Sequence, residues 1–158
     1  MSLIKKRQTL FGFAYFICFI AFASNSHADV GVSRDVFIDK FTPIGFSFEK
    51  GSDVKGAENW VGNGKDSVIQ LIGPKKDLGE VSLMQAFDQD KERNLHKFIV
   101  AMSFVNIVVP SWDVKEMRAW LAQAIKEQGG KEIRDGKEIS MTVVKEMGMT
   151  TITISPVH

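Results

Sequence analysis

Two helix-like segments interrupt an otherwise strand-like sequence between residues 88 and 130, which read DQDKERNLHKFIVAMSFVNIVVPSWDVKEMRAWLAQAIKEQGG. In the first segment, apolar residues recur at steps of three and four, the period of an α-helix. They are Leu95, Phe98, Ile99, Met102, Val105 and Val109. In the second segment, Asp113 and Glu116 resemble a capping box ahead of another apolar stripe. We predict two consecutive helices, the second ending at Gly129 and Gly130.

The sequence on both sides of these helices carries strand patterns. Residues 67–72 are apolar on both faces, as in a central strand, and residues 81–87 alternate apolar and polar side chains. Residues 150–155 alternate isoleucine with threonine, and a short helix is possible over residues 33–41. Helices segregated from strands in this way predict an α+β domain, an antiparallel sheet with the two consecutive helices packed on one face.

A hairpin is predicted around Asp135 and Gly136, and its loop length decides which side chains face the core. A two-residue turn would send Ile133 to the face opposite Ile139. A three-residue loop of residues 134–136, with a left-handed glycine, would pair Ile133 with Lys137 and keep the apolar side chains together. We therefore predict the three-residue loop.

The N terminus has the features of an export signal. Three basic residues at positions 5–7 precede an apolar run over residues 10–23, and small residues follow at Ser26 and Ala28. The run has 14 residues, whereas a helix needs about 20 to cross a bilayer. We expect residues 1–28 to be cleaved after Ala28, with no integral membrane span remaining, and the product to be periplasmic or secreted.

Composition bounds the domain that would remain, residues 29–158. The whole chain has 20 Lys and Arg against 19 Asp and Glu, a balance that argues against a nucleic-acid-binding protein. The sole cysteine, Cys18, lies in the apolar run, so the predicted single domain is disulfide-free and has no thiol nucleophile. The chain has no Asn-x-Ser/Thr acceptor for glycosylation, which slightly favours a bacterial secretory protein.

Several short motifs resemble known sites but lack a required residue. The carboxylates of residues 88–92 suggest a calcium loop, but Arg93 occupies the glycine position. Residues 62–65 suggest a phosphate loop, but Asp66 replaces the required Ser or Thr, so a turn is favoured. His96 has no orienting partner nearby in the sequence and is interpreted as a surface residue. We predict no catalytic residue, no metal and no cofactor.

Two alternative functions remain open from the residues. Acidic side chains in the first half could pair in space, as glycoside hydrolysis requires, and would make the chain an exported hydrolase. They are Glu49, Asp53, Glu58, Asp66 and Glu80. The apolar run of residues 98–109 could instead give peripheral membrane association, although 12 residues with two polar interruptions fit a buried helix better.

The leading hypothesis is an exported soluble domain that binds another envelope or extracellular macromolecule, as an inhibitor, adaptor or accessory factor. Trp60, Asn63 and Lys65 are the candidate partner-binding residues, because a tryptophan beside a glycine-rich turn can present a flat amphipathic surface. The alternative for Trp60 is that it packs inward from a strand. No enzyme activity is favoured by this interpretation.

Overall fold

A computed structural model describes residues 28–87 and 91–157. The predicted export signal lies outside these residues except for Ala28, and so does most of the calcium-like sequence. The strands are β1 (Ser47–Lys50), β2 (Asn59–Gly64), β3 (Ser67–Ile72), β4 (Glu80–Ala86), β5 (Gly129–Arg134), β6 (Lys137–Val144) and β7 (Met149–Pro156). The α-helices are α1 (Arg34–Phe41), α2 (Lys91–Val108) and α3 (Val114–Glu127). Short 3₁₀ turns occur at Thr42–Ile44 and Lys145–Met147.

The strands form one antiparallel sheet in the order β1-β2-β3-β4-β7-β6-β5. Strands β1 to β4 form a meander, and the chain then passes through α2 and α3 to the far edge of the sheet. From there β5, β6 and β7 return toward the middle, where β7 pairs with β4. The α+β prediction is confirmed, because the two long helices separate two groups of antiparallel strands.

One face of the sheet is covered by the helices. Alternate residues of the inner strands are buried on this covered face: Ile69, Leu71, Val81, Leu83, Ile139, Met141, Ile152 and Ile154. Helix α1 reaches it through Phe41, whose ring centroid lies 5.4 Å from that of Phe46. Helix α2 joins the same core through Phe104, 5.6 Å from Phe37. Each fully buried side chain of this kind contributes about 1.5–3 kcal/mol.

Two glycines in β2 lie beneath aromatic rings of the covered face. A Cβ atom on Gly62 would come within 2.5 Å of the Phe48 ring, and one on Gly64 within 2.8 Å of the Phe46 ring. Both glycines are therefore strand residues, and their lack of a side chain lets the rings pack against the backbone. The turn predicted over residues 62–65 is wrong in its position. The reversal lies at Lys65 and Asp66, where Asp66 is left-handed with φ of 57°.

Helix α3 begins as predicted but ends differently. The Asp113 carboxylate caps it by accepting from the backbone N–H of Lys115 at 2.9 Å and of Glu116 at 3.1 Å. The left-handed cap is Gln128, not a glycine, and Gly129 already starts β5. Gly130 serves packing instead, because a Cβ there would lie 3.2 Å from that of Ala124.

The hairpin between β5 and β6 corrects the predicted three-residue loop. Arg134 pairs with Lys137 and Ile133 with Glu138, so the turn has two residues, Asp135 and Gly136. Both are left-handed, with φ of 50° and 70°, and such a turn matches the twist of the flanking strands. Backbone geometry outweighs the burial of one isoleucine, and Ile133 is left 60% exposed.

Candidate functional site

The second face of the sheet presents a broad surface, which we call the open face. On the four central strands it consists of Val61, Asn63, Val68, Gln70, Ile72, Glu80, Ser82, Met84, Ala86, Met149, Thr151, Thr153 and Ser155. These residues alternate with the core residues of the covered face along each strand, and no helix of the described residues packs on them. Only Glu80 among these residues of β2, β3, β4 and β7 carries a charge, and the outer strands β1, β5 and β6 add Glu49, Lys131 and Glu138 to the same face.

Hydroxyl groups in the middle of the open face bond to one another. The Ser82 Oγ and Thr153 Oγ1 atoms lie 3.2 Å apart across β4 and β7, and Ser140 Oγ donates to the Thr153 carbonyl at 3.5 Å. Ser82 is buried, and its neighbours on the face are half-buried. Because these polar groups partly satisfy each other, another surface could cover them at a modest desolvation cost.

Trp60 belongs to a partly buried ionic cluster on the covered face of the sheet. Arg34 donates through both terminal nitrogens to the two carboxylate oxygens of Glu58, each at 3.1 Å. The Trp60 Nε1 atom also donates to Glu58 Oε1 at 3.1 Å, and the Arg34 guanidinium lies 4.5 Å from the centroid of the indole ring. These contacts attach the start of α1 to the start of β2, so Trp60 has a structural role.

The three predicted partner-binding residues do not form one surface. Trp60 lies on the covered face, half-buried beneath Arg34. Asn63 is exposed on the open face and donates to Glu49 Oε1 at 3.2 Å. Lys65 is exposed in the β2–β3 turn. The open face was not predicted from the sequence. It is formed by alternate residues of several paired strands, and no single sequence motif marks it.

Acidic side chains meet at one end of the sheet. A cleft of about 810 Å³ is lined by Asp29, Glu58, Asp77 and Glu80, together with Lys55 and the glycine-rich turn after β3. Glu58 and Glu80 are two of the carboxylates predicted as candidates for hydrolysis. The oxygens of Glu58, however, are occupied by Arg34 and Trp60. The described residues contain no group of three side chains placed to hold a metal ion.

Basic side chains meet at the opposite end, in what we call the basic cavity. This cavity of about 110 Å³ lies between α2 and the β2–β3 turn, and its polar lining is Lys65, Asp66, Ser67, Arg93, His96 and Lys97. Lys97 is buried, with its side chain 5% exposed, and its Nζ lies 3.8 Å from Asp66 Oδ2. His96 is exposed on α2.

The apolar run over residues 98–109 lies mainly in the core. Val100, Phe104, Val105 and Val108 are buried against the sheet, and Ile99 is an exposed exception. Within residues 28–87 and 91–157, none of the helices combines the length and the apolar character needed to cross a membrane.

Comparison with known proteins finds no matching family model, no similar curated protein and no similar solved structure. Function therefore has to be inferred from the chemistry of the surfaces described above.

Proposed function

We propose that this chain is an exported protein that acts by binding another protein of the cell envelope or the extracellular space through the open face. Two features support the proposal: the N-terminal sequence has the parts of an export signal, and the open face is poor in charge. Cleavage after Ala28 would leave residues 29–158 as the working domain, in the periplasm or outside the cell.

The composition of the open face is the observation that carries this proposal. A solvated sheet face is usually polar, whereas the cores of protein interfaces are depleted of Lys, Glu and Asp. Here valine, isoleucine and methionine side chains lie among neutral hydroxyls and amides, and Glu80 is the one charged residue on this face of β2, β3, β4 and β7. The solvent side of α3 offers a contrast within the same chain, with exposed Lys115, Glu116, Arg118, Lys126 and Glu127.

The charge-poor part of the open face is large enough for the centre of a protein interface. Strands spaced about 4.8 Å apart, with about six residues each, give a surface of roughly 20 by 20 Å for β2, β3, β4 and β7. That is on the order of 400 Å² in projection, about half of the 800 Å² of accessible surface that a standard interface buries per partner. The outer strands add Glu49, Lys131 and Glu138 around it, and interface rims are usually polar. The expected partner presents a flat, weakly charged surface.

The hydrolase alternative has weaker support. The acid-lined cleft brings Glu58 and Glu80 together, but a general acid or nucleophile needs an oxygen that can reach substrate. Both oxygens of Glu58 already accept from Arg34, and one also accepts from Trp60. Glu58 would have to release Arg34 and Trp60 before it could act on a substrate, whereas partner binding through the open face requires no such change.

Site-directed photocrosslinking in the native cells tests the proposal. We expect a photoreactive residue at Val68, on the open face, to give a discrete crosslink to another protein. The same residue at Ala122, exposed on α3, is the matched control and should give none. Thr151→Glu should abolish the Val68 crosslink, because a buried unpaired charge opposes binding, while Ala122→Glu should leave it intact.

The circular dichroism spectrum and melting temperature of Thr151→Glu should equal those of the parent chain, which shows that loss of the crosslink is not caused by unfolding. Crosslinking of equal strength from Val68 and Ala122 would contradict the proposal. Light scattering on the purified chain tests whether a second copy of the chain binds the open face. A homodimer that dissociates in Thr151→Glu would show that it does, and would contradict the proposal.

A further inference from the structure

We propose that a pocket at one end of the sheet binds a small monocarboxylic acid with an apolar body. The pocket, which we call the apolar pocket, lies where β4, β6 and α3 end and β7 begins. Its apolar walls are Phe87, Ile125, Val143 and Met149. Of these four, Met149 also belongs to the open face, and the inference goes beyond partner binding without depending on it.

The size of the apolar pocket fits a small organic molecule. Its volume is about 290 Å³, at the lower end of the range of about 300–1,000 Å³ for ligand pockets. Because liquid water takes about 30 Å³ per molecule, the space holds a ligand of about ten non-hydrogen atoms. All four wall side chains are half-buried, so a ligand body that covers them would remove apolar surface from water and be stabilised by it.

A buried hydroxyl lines this apolar space. Thr150 is 3% exposed and belongs to the pocket lining. Residues 28–87 and 91–157 offer its hydroxyl no hydrogen-bond partner, whereas the Thr153 hydroxyl on the same strand lies 3.2 Å from that of Ser82. A buried hydroxyl without a partner destabilises the fold. A ligand oxygen that accepts from Thr150 would remove this cost.

Lys145 adds a positive charge at the same pocket. It is exposed in the 3₁₀ turn between β6 and β7, and it is the one charged residue of the described lining. Its ammonium makes no ion pair with a described residue. Ammonium and hydroxyl groups both donate to a carboxylate, and donors to an ionised acceptor form the stronger hydrogen bonds. One positive charge beside apolar walls therefore favours a monoanion with an apolar body over an amine or a multiply charged anion.

Calorimetric titration of the purified chain with octanoate, at constant ionic strength, tests the proposal. We expect saturable binding at one site. The uncharged 1-octanol should bind about ten-fold more weakly, because it lacks the carboxylate. Thr150→Val should raise the Kd of octanoate about ten-fold, since a hydrogen bond to a charged group is lost. Lys145→Gln should raise it about three-fold, a smaller change because the ammonium is exposed to water.

Lys126→Gln is the matched control, because Lys126 is exposed on α3 beside Ile125 and lies outside the pocket lining. Its Kd for octanoate should stay unchanged. Thr150→Val should keep or raise the melting temperature, because it removes an unpaired buried hydroxyl. A lower melting temperature would show that this hydroxyl has a partner within the fold, and would contradict the proposal.

Three binding results would also overturn the proposal of a carboxylate site in the apolar pocket. The first is no saturable binding of octanoate. The second is equal affinity for octanoate and 1-octanol, which would mean that the pocket does not recognise the carboxylate. The third is equal weakening by Lys126→Gln and Lys145→Gln, which would indicate a general effect of charge.

Discussion

The two faces of the sheet are built from the same strands and yet differ in chemistry. Along β7, Ile152 and Ile154 are buried beneath the helices, while Thr151 and Thr153 lie half-buried on the open face. The strand alternation therefore separates two tasks. Apolar burial on the covered face stabilises the fold, and the composition of the open face is not fixed by packing against the helices. This separation can be tested by substitutions at neighbouring positions.

The largest expected effect comes from a pair of adjacent residues on β7. Ile152→Ala should lower the free energy of unfolding by about 2–5 kcal/mol, because it leaves a cavity in the covered core. Thr151→Ala should cost less than about 1 kcal/mol, since its side chain faces the open side. Urea titrations of both variants measure the difference. Equal losses would mean that the open face is also a structural core.

The next largest effect distinguishes two arginine–tryptophan contacts, one at each end of the covered face. Arg34 is 6% exposed and bonds to both oxygens of Glu58. Arg134 is 42% exposed, 3.0 Å from Glu132, and its guanidinium lies 5.2 Å from the Trp112 centroid. Arg34→Met should cost about 2–3 kcal/mol, below the usual value for a buried pair because Glu58 is 34% exposed. Arg134→Met should cost about 0–1 kcal/mol.

Chemical denaturation at low and high salt gives both values in the Arg34 and Arg134 comparison. The loss for Arg134→Met should shrink as salt increases, since exposed ion pairs are screened, and the loss for Arg34→Met should persist. A smaller loss at Arg34 than at Arg134 would contradict the structural part given to the cluster around Trp60.

Much of the fold could be predicted because its signals are periodic and local. The pattern over residues 67–72 gave β3 with the observed bounds, and Asp113 marked the start of α3. The glycines of β2 led to the wrong prediction of a turn, because the sequence does not distinguish a glycine beneath an aromatic ring from a glycine in a turn. Only the approach of Phe46 and Phe48, from the neighbouring edge, distinguishes the two.

The candidate surfaces were harder to predict because each depends on long-range pairing. The sequence predicts Trp60 as a partner-binding residue, whereas its contact with Arg34 joins residues far apart in the chain. Likewise Lys65 reaches the basic cavity only because the β2–β3 turn lies beside α2. The scarcity of charge at the centre of the open face becomes visible only when β4 and β7, separated in the chain by two helices and two strands, are paired.

A smaller loss of stability is expected from a substitution in the β5–β6 turn. The length of this turn determines which residues of β5 lie on each face of the sheet. Gly136 has φ of 70°, and alanine in that conformation costs about 1 kcal/mol. Gly136→Ala should lower the melting temperature by a few degrees. Asp135→Asn is the control and should be nearly neutral, because asparagine also accepts the left-handed conformation. A neutral Gly136→Ala would contradict the two-residue turn.

The smallest expected effect is at Ile133, and it decides the register of β5 directly. With Ile133 opposite Glu138 on the open side and 60% exposed, Ile133→Thr should change stability by less than about 0.5 kcal/mol, since threonine keeps the β-branched shape and little apolar surface is lost. Ile139→Thr, at a fully buried position of the covered face, buries a hydroxyl and should cost about 2 kcal/mol or more. Had the hairpin closed with a three-residue loop, Ile133 would share the face of Ile139 and the two substitutions would cost similar amounts. Similar losses in thermal unfolding would therefore return Ile133 to the core and shift every side chain of β5 to the other face.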